Sequence, residues 1–295
     1  MASVDYRSNK TPPEIVRENP ILKTKVWGKM HLHNDNWMAA VVGETGSGKS
    51  WASLRIAEAV DPNFTVDQVA FSVIEFLELV NDDSLGRGSV IVFEEASVEA
   101  SSHEWYSKSN SVLRNVLDTW RNQNRGAIFT LPAFGQLDKG ARGRMSALIQ
   151  MHDKEEDEGY TTAKYKRCQQ DSDTGQIYKK YPILKGKKYR FLKLTKPSKD
   201  LREAYEKRKA DYTKDLNQRL LDELIEEQEE KQESEMGPKQ IAEEILNGKV
   251  DDYISDNHGQ KYIDKDMIEL DYEIGGRKSR KVKSALKRDL DINVM

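Results

Sequence analysis

Eight consecutive residues around position 45 combine glycine, lysine and serine at a fixed spacing. They fit the pattern G-x-x-x-x-G-K-[ST] without a mismatch, and they are Gly43, Glu44, Thr45, Gly46, Ser47, Gly48, Lys49 and Ser50. The glycines allow the backbone N–H groups to surround a phosphate, and the N-terminus of a following helix adds positive charge. Lys49 would then contact the β- and γ-phosphates of a nucleotide, while Ser50 would offer its hydroxyl to Mg²⁺. The motif therefore predicts a P-loop that binds ATP and Mg²⁺.

Two adjacent acids follow an apolar segment that is typical of a buried strand. Glu94 and Glu95 come directly after Val90–Phe93. Unpaired charge is costly at the end of a buried strand, so a chemical role explains the pair better than a structural one. We expect Glu94 to lie on the magnesium side of the site and Glu95 to polarise the attacking water as a general base.

Polar and basic side chains elsewhere could complete this site. Thr130 ends a later predicted strand, where it could sense the γ-phosphate or could simply be a β-branched strand residue. Arg121, Arg125, Arg142 and Arg144 lie outside the core elements, and any of them could reach the nucleotide of a neighbouring subunit. Arg142 and Arg144 are favoured because they follow the strand that carries Thr130.

The composition limits the class of protein. Hydrophobic residues make up 37% of the 295 residues and charged residues 33%, with a formal net charge of -3. The single cysteine, Cys168, excludes an intrachain disulfide and a metal site with several cysteines. No apolar run approaches the roughly 20 residues that span a bilayer. The polar N-terminus has no apolar signal core. We therefore expect a soluble protein of the cytoplasm without a membrane span.

The candidate residues belong to an alternation of short apolar segments and helical patterns. Residues 37–196 should form an α/β core with a mainly parallel sheet and helices on both faces. The predicted strands are Trp37–Val42, Gln68–Ser72, Ser89–Phe93 and Ala127–Leu131, and the predicted helices are Lys49–Val60, Val73–Val80 and Asn110–Gln123.

Two regions flank this parallel core. Residues 1–36 contain three prolines and should form an irregular arm that packs on the core or on a neighbouring subunit. After Leu148, Thr162–Cys168 and Gln176–Leu184 alternate across a turn at Gly175. This pattern predicts an antiparallel hairpin extension at the edge of the sheet.

Residues 197–235 have the character of a charged helix. There is no Gly or Pro from Ser198 to Glu235, and the apolar residues recur mostly at four-residue steps. This stripe comprises Leu201, Tyr205, Tyr212, Leu216, Leu220 and Leu224. The segment could be a solvated spacer without core contacts or an oligomer contact.

Residues 236–295 should form a small helical module of the helix-turn-helix or winged-helix type. We expect helices around Ile241–Leu246 and Tyr253–Ile254, a third element over Ile263–Leu270, and a last helix over Arg277–Leu290 entered through a Gly turn. In the last helix the apolar Val282, Ala285, Leu286 and Leu290 share one face, and the basic Arg280, Lys281, Lys287 and Arg288 lie broadly opposite. A basic exposed face on such a helix fits DNA, although protein docking, or contact with the acidic stretch before Glu235, would also use it.

The motifs, taken in order, resemble the FtsK/HerA superfamily of ATPases. The resemblance is carried by Gly43–Ser50, Val90–Glu95, Trp120–Arg125 and Ala127–Pro132, covers roughly residues 20–200, and is greatest to packaging or Zot-like ATPases of archaeal viruses and plasmids. It implies a ring-forming ATPase, expected to be hexameric, that moves double-stranded DNA. The chain differs from the family pattern in having Glu94 in place of Asp and Leu131 in place of a sensor glutamine. A viral origin would place the protein in the host cytoplasm or with the virion.

Two other functions fit the same residues. One is a DNA-bound ATP switch in replication or partition that hydrolyses slowly. The other is a morphogenesis ATPase whose client is a protein, with the C-terminal module docking it. Duplex-stimulated turnover by a defined ring would favour the translocase.

The phosphate loop leads directly to a test of its lysine. We expect Lys49→Ala to abolish ATP binding at physiological concentration, because the charge on the β- and γ-phosphates is removed. Equilibrium binding of a fluorescent ATP analogue measures this, and circular dichroism checks that the variant is folded. Normal ATP affinity in a folded Lys49→Ala protein would show that the loop has been assigned wrongly.

Overall fold

The structure, a computed structural model, describes residues 11–33, 35–94, 124–155, 157–248, 250–257 and 260–290. The predicted helix Asn110–Gln123, with Arg121, lies outside these residues. The chain divides into two units, Met1–Tyr212 and Thr213–Met295.

The first unit alternates strands and helices. In chain order these are α1 (Glu14–Glu18), a π-helix (Leu22–Trp27), α2 (Gly28–His31), β1 (Trp37–Val42), α3 (Lys49–Val60), a 3-10 turn (Val66–Gln68), β2 (Val69–Ala70), α4 (Val73–Asn81), β3 (Val90–Phe93), β4 (Gly126–Leu131), a 3-10 turn (Phe134–Gln136), α5 (Lys139–Arg144), β5 (Ala147–Glu155), β6 (Tyr160–Gln170), β7 (Ile177–Lys180), β8 (Ile183–Leu184), β9 (Lys187–Lys188) and β10 (Phe191–Thr195). The predicted bounds of β1 and α3 are confirmed, and the predicted second strand shortens to β2.

The strands of the core form one mixed sheet. Its order is β10-β6-β5-β1-β4-β3-β2, and β7 also pairs with β6. The strands from β5 to β2 are parallel, whereas β6 pairs antiparallel with β5, β7 and β10. This confirms the predicted α/β fold, a mainly parallel sheet with an antiparallel extension.

Strand β5 was not predicted, because its burial follows no single period. Its first residues are buried between β1 and β6, and its last residues are exposed. It therefore shows neither a continuous apolar run nor a clean alternation.

The expectation of an irregular N-terminal arm is wrong for residues 14–31. These residues form α1, the π-helix and α2, and they place Val16, Val26, Trp27 and Met30 in the core. Pro13 only precedes the first helix. The arm therefore packs on the core of its own chain.

A buried carboxyl group ties the end of α3 to the start of β3. Asp61 accepts hydrogen bonds from the backbone N–H of Val90 at 3.0 Å and from the Gln68 amide at 2.8 Å. The same amide donates to the carbonyl oxygen of Val90 at 2.9 Å. Burial raises the pKa of the Asp61 carboxyl, and these hydrogen bonds partly offset that rise. The network fixes the position of the start of β3 relative to the end of α3.

The charged segment begins as part of the core. It forms α6 (Lys199–Glu235), and its first turns bury Leu201 and Tyr205 while Tyr212 stacks on Phe71 with 5.2 Å between the ring centroids. The expectation of a spacer without core contacts is wrong for these turns, because the apolar stripe packs against the sheet domain. Further along, Leu224 is exposed.

The second unit has its own small core. After α6 it contains α7 (Pro238–Asn247), a 3-10 turn (Val250–Tyr253), β11 (Ile254–Asn257), β12 (Gln260–Ile263), α8 (Lys265–Asp271) and α9 (Gly276–Asp289). The helix expected around Tyr253–Ile254 is found only as the 3-10 turn that ends at Tyr253, because Ile254 begins β11, which pairs antiparallel with β12. The faces predicted for the last helix are confirmed by the burial of Val282 and Leu286 and the exposure of Lys281 and Arg288. None of the described helices in either unit combines the length and apolar character needed to cross a bilayer.

Candidate functional site

The loop between β1 and α3 has a conformation that depends on glycine. Gly46 and Gly48 have φ angles of +80° and +86°, a region that residues with a Cβ rarely adopt. At Gly43 a Cβ would lie 2.7 Å from the Ser47 hydroxyl and 2.9 Å from Cβ of Met151 on β5. The glycine spacing of the motif therefore matches the backbone path of this loop.

The side chain of the loop lysine is hydrogen-bonded to the first two residues of the loop. Lys49 is buried, and its ammonium group donates to the carbonyl oxygens of Gly43 and Glu44, each at 2.9 Å. Both contacts are on the loop itself, so the charge is positioned where the curled backbone would receive a phosphate.

The loop serine meets the first acid of the predicted pair. The Ser50 hydroxyl donates to Oε1 of Glu94, which is only 1% exposed at the end of β3. Their oxygens together provide the hard donors that Mg²⁺ prefers in proteins. The two residues predicted as magnesium ligands are thus in direct contact, although 44 positions separate them in the sequence.

Sheet register places the predicted sensor between these two elements. β4 lies between β1 and β3, and Thr130 pairs with Val41 just before the loop begins. Thr130 is fully buried. Glu95 follows the described part of β3 and lies outside the described residues, so its predicted role as general base stays a prediction.

The arginines have three different surroundings. Arg125 lies just before β4, outside the core elements as predicted, but it is buried and donates to the carbonyl oxygens of Val80 and Asp82 at 2.9 and 3.0 Å. Its guanidinium group is therefore held within its own chain rather than presented to a neighbouring subunit. The pKa of Arg125 is lowered by burial. Arg142 is half-buried and donates to the carbonyl oxygen of Asp138 at 3.4 Å. Arg144 is exposed just before β5, the end of that strand opposite to the loop. Arg144 is therefore not brought to the loop of its own chain.

A tyrosine whose sequence pattern predicts only a place in an apolar stripe lies next to the serine and the glutamate. Tyr205 of α6 is 1% exposed, and its hydroxyl lies beside the Ser50 hydroxyl and the Glu94 carboxylate. It makes no hydrogen bond of ordinary geometry to any described residue. Burial, with a smaller effect of the Glu94 charge, raises the pKa of Tyr205 above its usual value. The hydroxyl therefore stays protonated and can donate.

The first turns of α6 are anchored around this tyrosine. The Trp51 indole N–H donates to Glu206 at 3.3 Å, and Arg208 donates to the carbonyl oxygen of Val66 at 2.6 Å while pairing with Glu75 at 3.5 Å. A cleft of about 290 Å³ remains between the loop and α6, and it is lined by Thr45, Gly46, Gly48, Lys49, Ser50, Trp51, Lys154, Tyr205, Glu206 and Lys209. Lysines thus border the cleft on several sides, as an anionic ligand requires.

The sheet and this loop define a P-loop NTPase-like fold. No protein-family model matches the sequence, and no curated protein matches it. Among solved structures, the N-terminal domain of zonular occludens toxin from Neisseria meningitidis matches with 16% identity and a TM-score of 0.31, covering 51% of this chain and 96% of that chain. The fold class is carried by the sheet order and the glycine loop rather than by this likeness.

The position of Tyr205 leads to a test that removes a single oxygen atom. We expect Tyr205→Phe to raise the Mg²⁺ concentration that half-saturates ATP binding by about ten- to hundredfold, the scale of one hydrogen bond to a charged group. The reason is that the hydroxyl is placed to donate to Glu94 when Ser50 turns towards the metal. Titration of ATP-analogue binding with Mg²⁺ measures it.

The matched control for this variant is Tyr212→Phe, which removes the same atom about two turns further along the same helix. Its Mg²⁺ requirement should equal that of the wild type. Equal midpoints in Tyr205→Phe and the wild type would remove Tyr205 from the site.

Proposed function

We propose that the chain is a magnesium-dependent ATPase that translocates double-stranded DNA as part of a ring of identical subunits. The contact between Ser50 and Glu94 beneath the glycine loop carries the enzymatic part of this proposal. It joins the phosphate-binding motif to a buried carboxylate, the combination that ATP hydrolysis requires.

The loop residues would bind the nucleotide in a defined orientation. The backbone from Gly43 to Gly48 would surround the β-phosphate, and Lys49 would exchange its two carbonyl contacts for phosphate oxygens. Ser50 and Glu94 would hold Mg²⁺, which neutralises charge on the phosphates when it is bound. The buried surroundings of Glu94 exclude competing water from this side of the site.

The remaining roles fall to residues around this centre. Glu95 would take a proton from the attacking water, and Thr130 would contact the γ-phosphate from the strand between the loop and the acid. Arg142 and Arg144 would act on the nucleotide of an adjacent subunit. The position of Arg144 supports an action in trans, since it lies at the opposite edge from the loop of its own chain.

The second unit supplies a surface suited to DNA. Helices α8 and α9 are joined by a four-residue turn, Tyr272–Gly275, as in a helix-turn-helix arrangement. The exposed side of α9 carries Arg277, Arg280, Lys281 and Arg288. A helix packed through its apolar side and basic on the other is the form in which such modules contact phosphates and a DNA groove.

The enzymatic part is tested by turnover of ATP with and without duplex DNA. We expect Mg²⁺-dependent hydrolysis that duplex DNA stimulates, and we expect Glu95→Gln to bind Mg-ATP but to hydrolyse it about 100-fold more slowly, the effect of removing a general base. Phosphate release and analogue binding are measured on the same samples, together with the mass of the assembly.

Glu94→Gln provides the comparison, because it should increase the requirement for Mg²⁺ before it affects anything else. Wild-type turnover in Glu95→Gln would place the base elsewhere. Hydrolysis that duplex DNA leaves unchanged would favour a protein client over a DNA substrate.

The DNA-binding part is tested on α9. We expect replacement of Lys281, Lys287 and Arg288 by alanine to weaken duplex binding and to reduce the slope of log affinity against log salt by about 0.9 for each phosphate that the variant no longer neutralises. Basal ATP hydrolysis should remain, since the loop and Glu94 lie in the other unit. An unchanged affinity and slope would show that α9 does not contact DNA.

A further inference from the structure

A long stretch of the antiparallel extension carries positive charge without acids. Between Asp173 and Asp200 there is no Asp or Glu, although the formal charge of the whole chain is -3. The stretch contains Lys179, Lys180, Lys185, Lys187, Lys188, Arg190, Lys193, Lys196 and Lys199. All of these side chains are exposed. Among the described residues, only Lys199 of this set forms an ion pair, with Glu203. Most of this charge is therefore not neutralised within the described part of the chain.

Strand register gathers part of this charge on one face of the sheet. Along β6, Ala163 and Tyr165 point into the core, so Lys164 and Lys166 point to the other side. Lys179 of β7 pairs with Cys168, which shares the side of Lys164 and Lys166. Lys193 of β10 pairs with Thr162, on the same side again. Two acids of β5, Asp153 and Glu155, pair with Thr162 and Tyr160 and border this side at one edge. We call Lys164, Lys166, Lys179 and Lys193 the basic face.

Two of the four ammonium groups of this face lie beside aromatic rings. Lys179 is 4.5 Å from the ring centroid of Phe134, and Lys193 is 3.4 Å from that of Tyr160. Phe191, opposite Lys164, is 48% exposed and stacks on His152 with 5.0 Å between the ring centroids. Aromatic rings orient a cation without cancelling its charge. The face therefore combines full positive charges with a ring open to solvent.

The basic face also reaches the nucleotide loop. A cleft of about 670 Å³ runs from the face to the carboxyl ends of β1 and β4, and its lining includes Lys166 and Lys179 together with Glu44 and Ser47 of the loop. In open α/β sheets, ligands bind at this edge. A polyanion on the basic face would therefore lie next to the bound nucleotide.

We propose that the basic face binds the sugar-phosphate backbone of DNA, independently of the second unit. Lysines two positions apart on a strand are about 6.8 Å from each other, and adjacent strands are about 4.8 Å apart, so the four ammonium groups form a grid that can contact several phosphates. Duplex DNA carries one negative charge for about every 1.7 Å of its axis, a denser and more regular array of anions than the scattered acids of a protein surface. The choice of DNA rests on the proposed function, whereas the location of the surface rests on the register and the charges.

The experiment replaces all four lysines of the basic face with glutamine. A matched control replaces Lys23, Lys139, Lys199 and Lys207 with glutamine, which removes the same charge from exposed positions of the same unit. Binding of a labelled duplex is measured without nucleotide over a range of salt concentrations, and thermal unfolding checks the fold of each variant. The same titrations are repeated with poly-glutamate as a competitor.

We expect the slope of log affinity against log salt to fall by up to about 3.6 for the four lysines, at about 0.9 for each neutralised phosphate. The control should keep the wild-type slope, and poly-glutamate should compete much less well than unlabelled duplex. If the fourfold variant does not fold, Lys164→Gln/Lys193→Gln replaces it, with half the expected change in slope.

The opposite results are distinguishable. If the fourfold variant binds duplex DNA as well as the wild type does, or if the control loses as much affinity as the variant, the proposed role of the basic face is wrong. The proposed function would not be affected by either result. Equal competition by poly-glutamate would assign the face to an acidic protein partner. No binding of duplex DNA by the wild type would overturn both the basic face and the proposed action on DNA.

Discussion

The arrangement of the candidate site depends on the shared carboxyl edge of three parallel strands. Because β1, β4 and β3 run in the same direction and in register, the glycine loop, Thr130 and Glu94 all emerge on that edge. The contact between Ser50 and Glu94 follows from this geometry. The buried hydrogen-bond network of Asp61 links the end of α3 to the start of β3. It therefore fixes the position of β3, which carries Glu94, relative to α3, which carries Ser50. A shift of β3 by one residue would turn its side chains to the other face of the sheet.

The two faces of the sheet are covered differently, and this difference shapes the site. One face packs against α3, the N-terminal helices and the first turns of α6, whereas α4 covers part of the other face. Placing α6 beside α3 buries Tyr205 next to Ser50 and Glu94. Outside the area that these described helices cover, the antiparallel strands carry the lysines of the basic face. The candidate nucleotide site and the basic face thus belong to adjacent parts of one sheet.

Charge is segregated along the chain although its sum is small. The stretch between Asp173 and Asp200 is basic, the end of α6 is acidic, and the exposed side of α9 is basic again. Such alternation of sign keeps the formal net charge at -3 while leaving strong local fields, which act on ligands at distances within about 10 Å at moderate salt. Possible binding partners are therefore inferred from the position of each charged segment and not from the net charge of the chain.

The amino-acid sequence by itself determined the features whose signal is local. The loop at Gly43–Ser50, strand β1 and helix α3 were predicted with their bounds, because glycine spacing, an apolar run and helical periodicity all lie within about 25 residues. The helices of residues 14–31 were not predicted, because prolines usually indicate a break in a helix. In the structure these prolines stand at the beginning of helical turns and do not interrupt them. Only the tertiary structure decided which distant residues meet. The contact of Ser50 with Glu94, the place of Tyr205 above them and the common side of Lys164 and Lys193 depend on strand register and helix docking. These are set by packing between segments far apart in the chain, which no local pattern records.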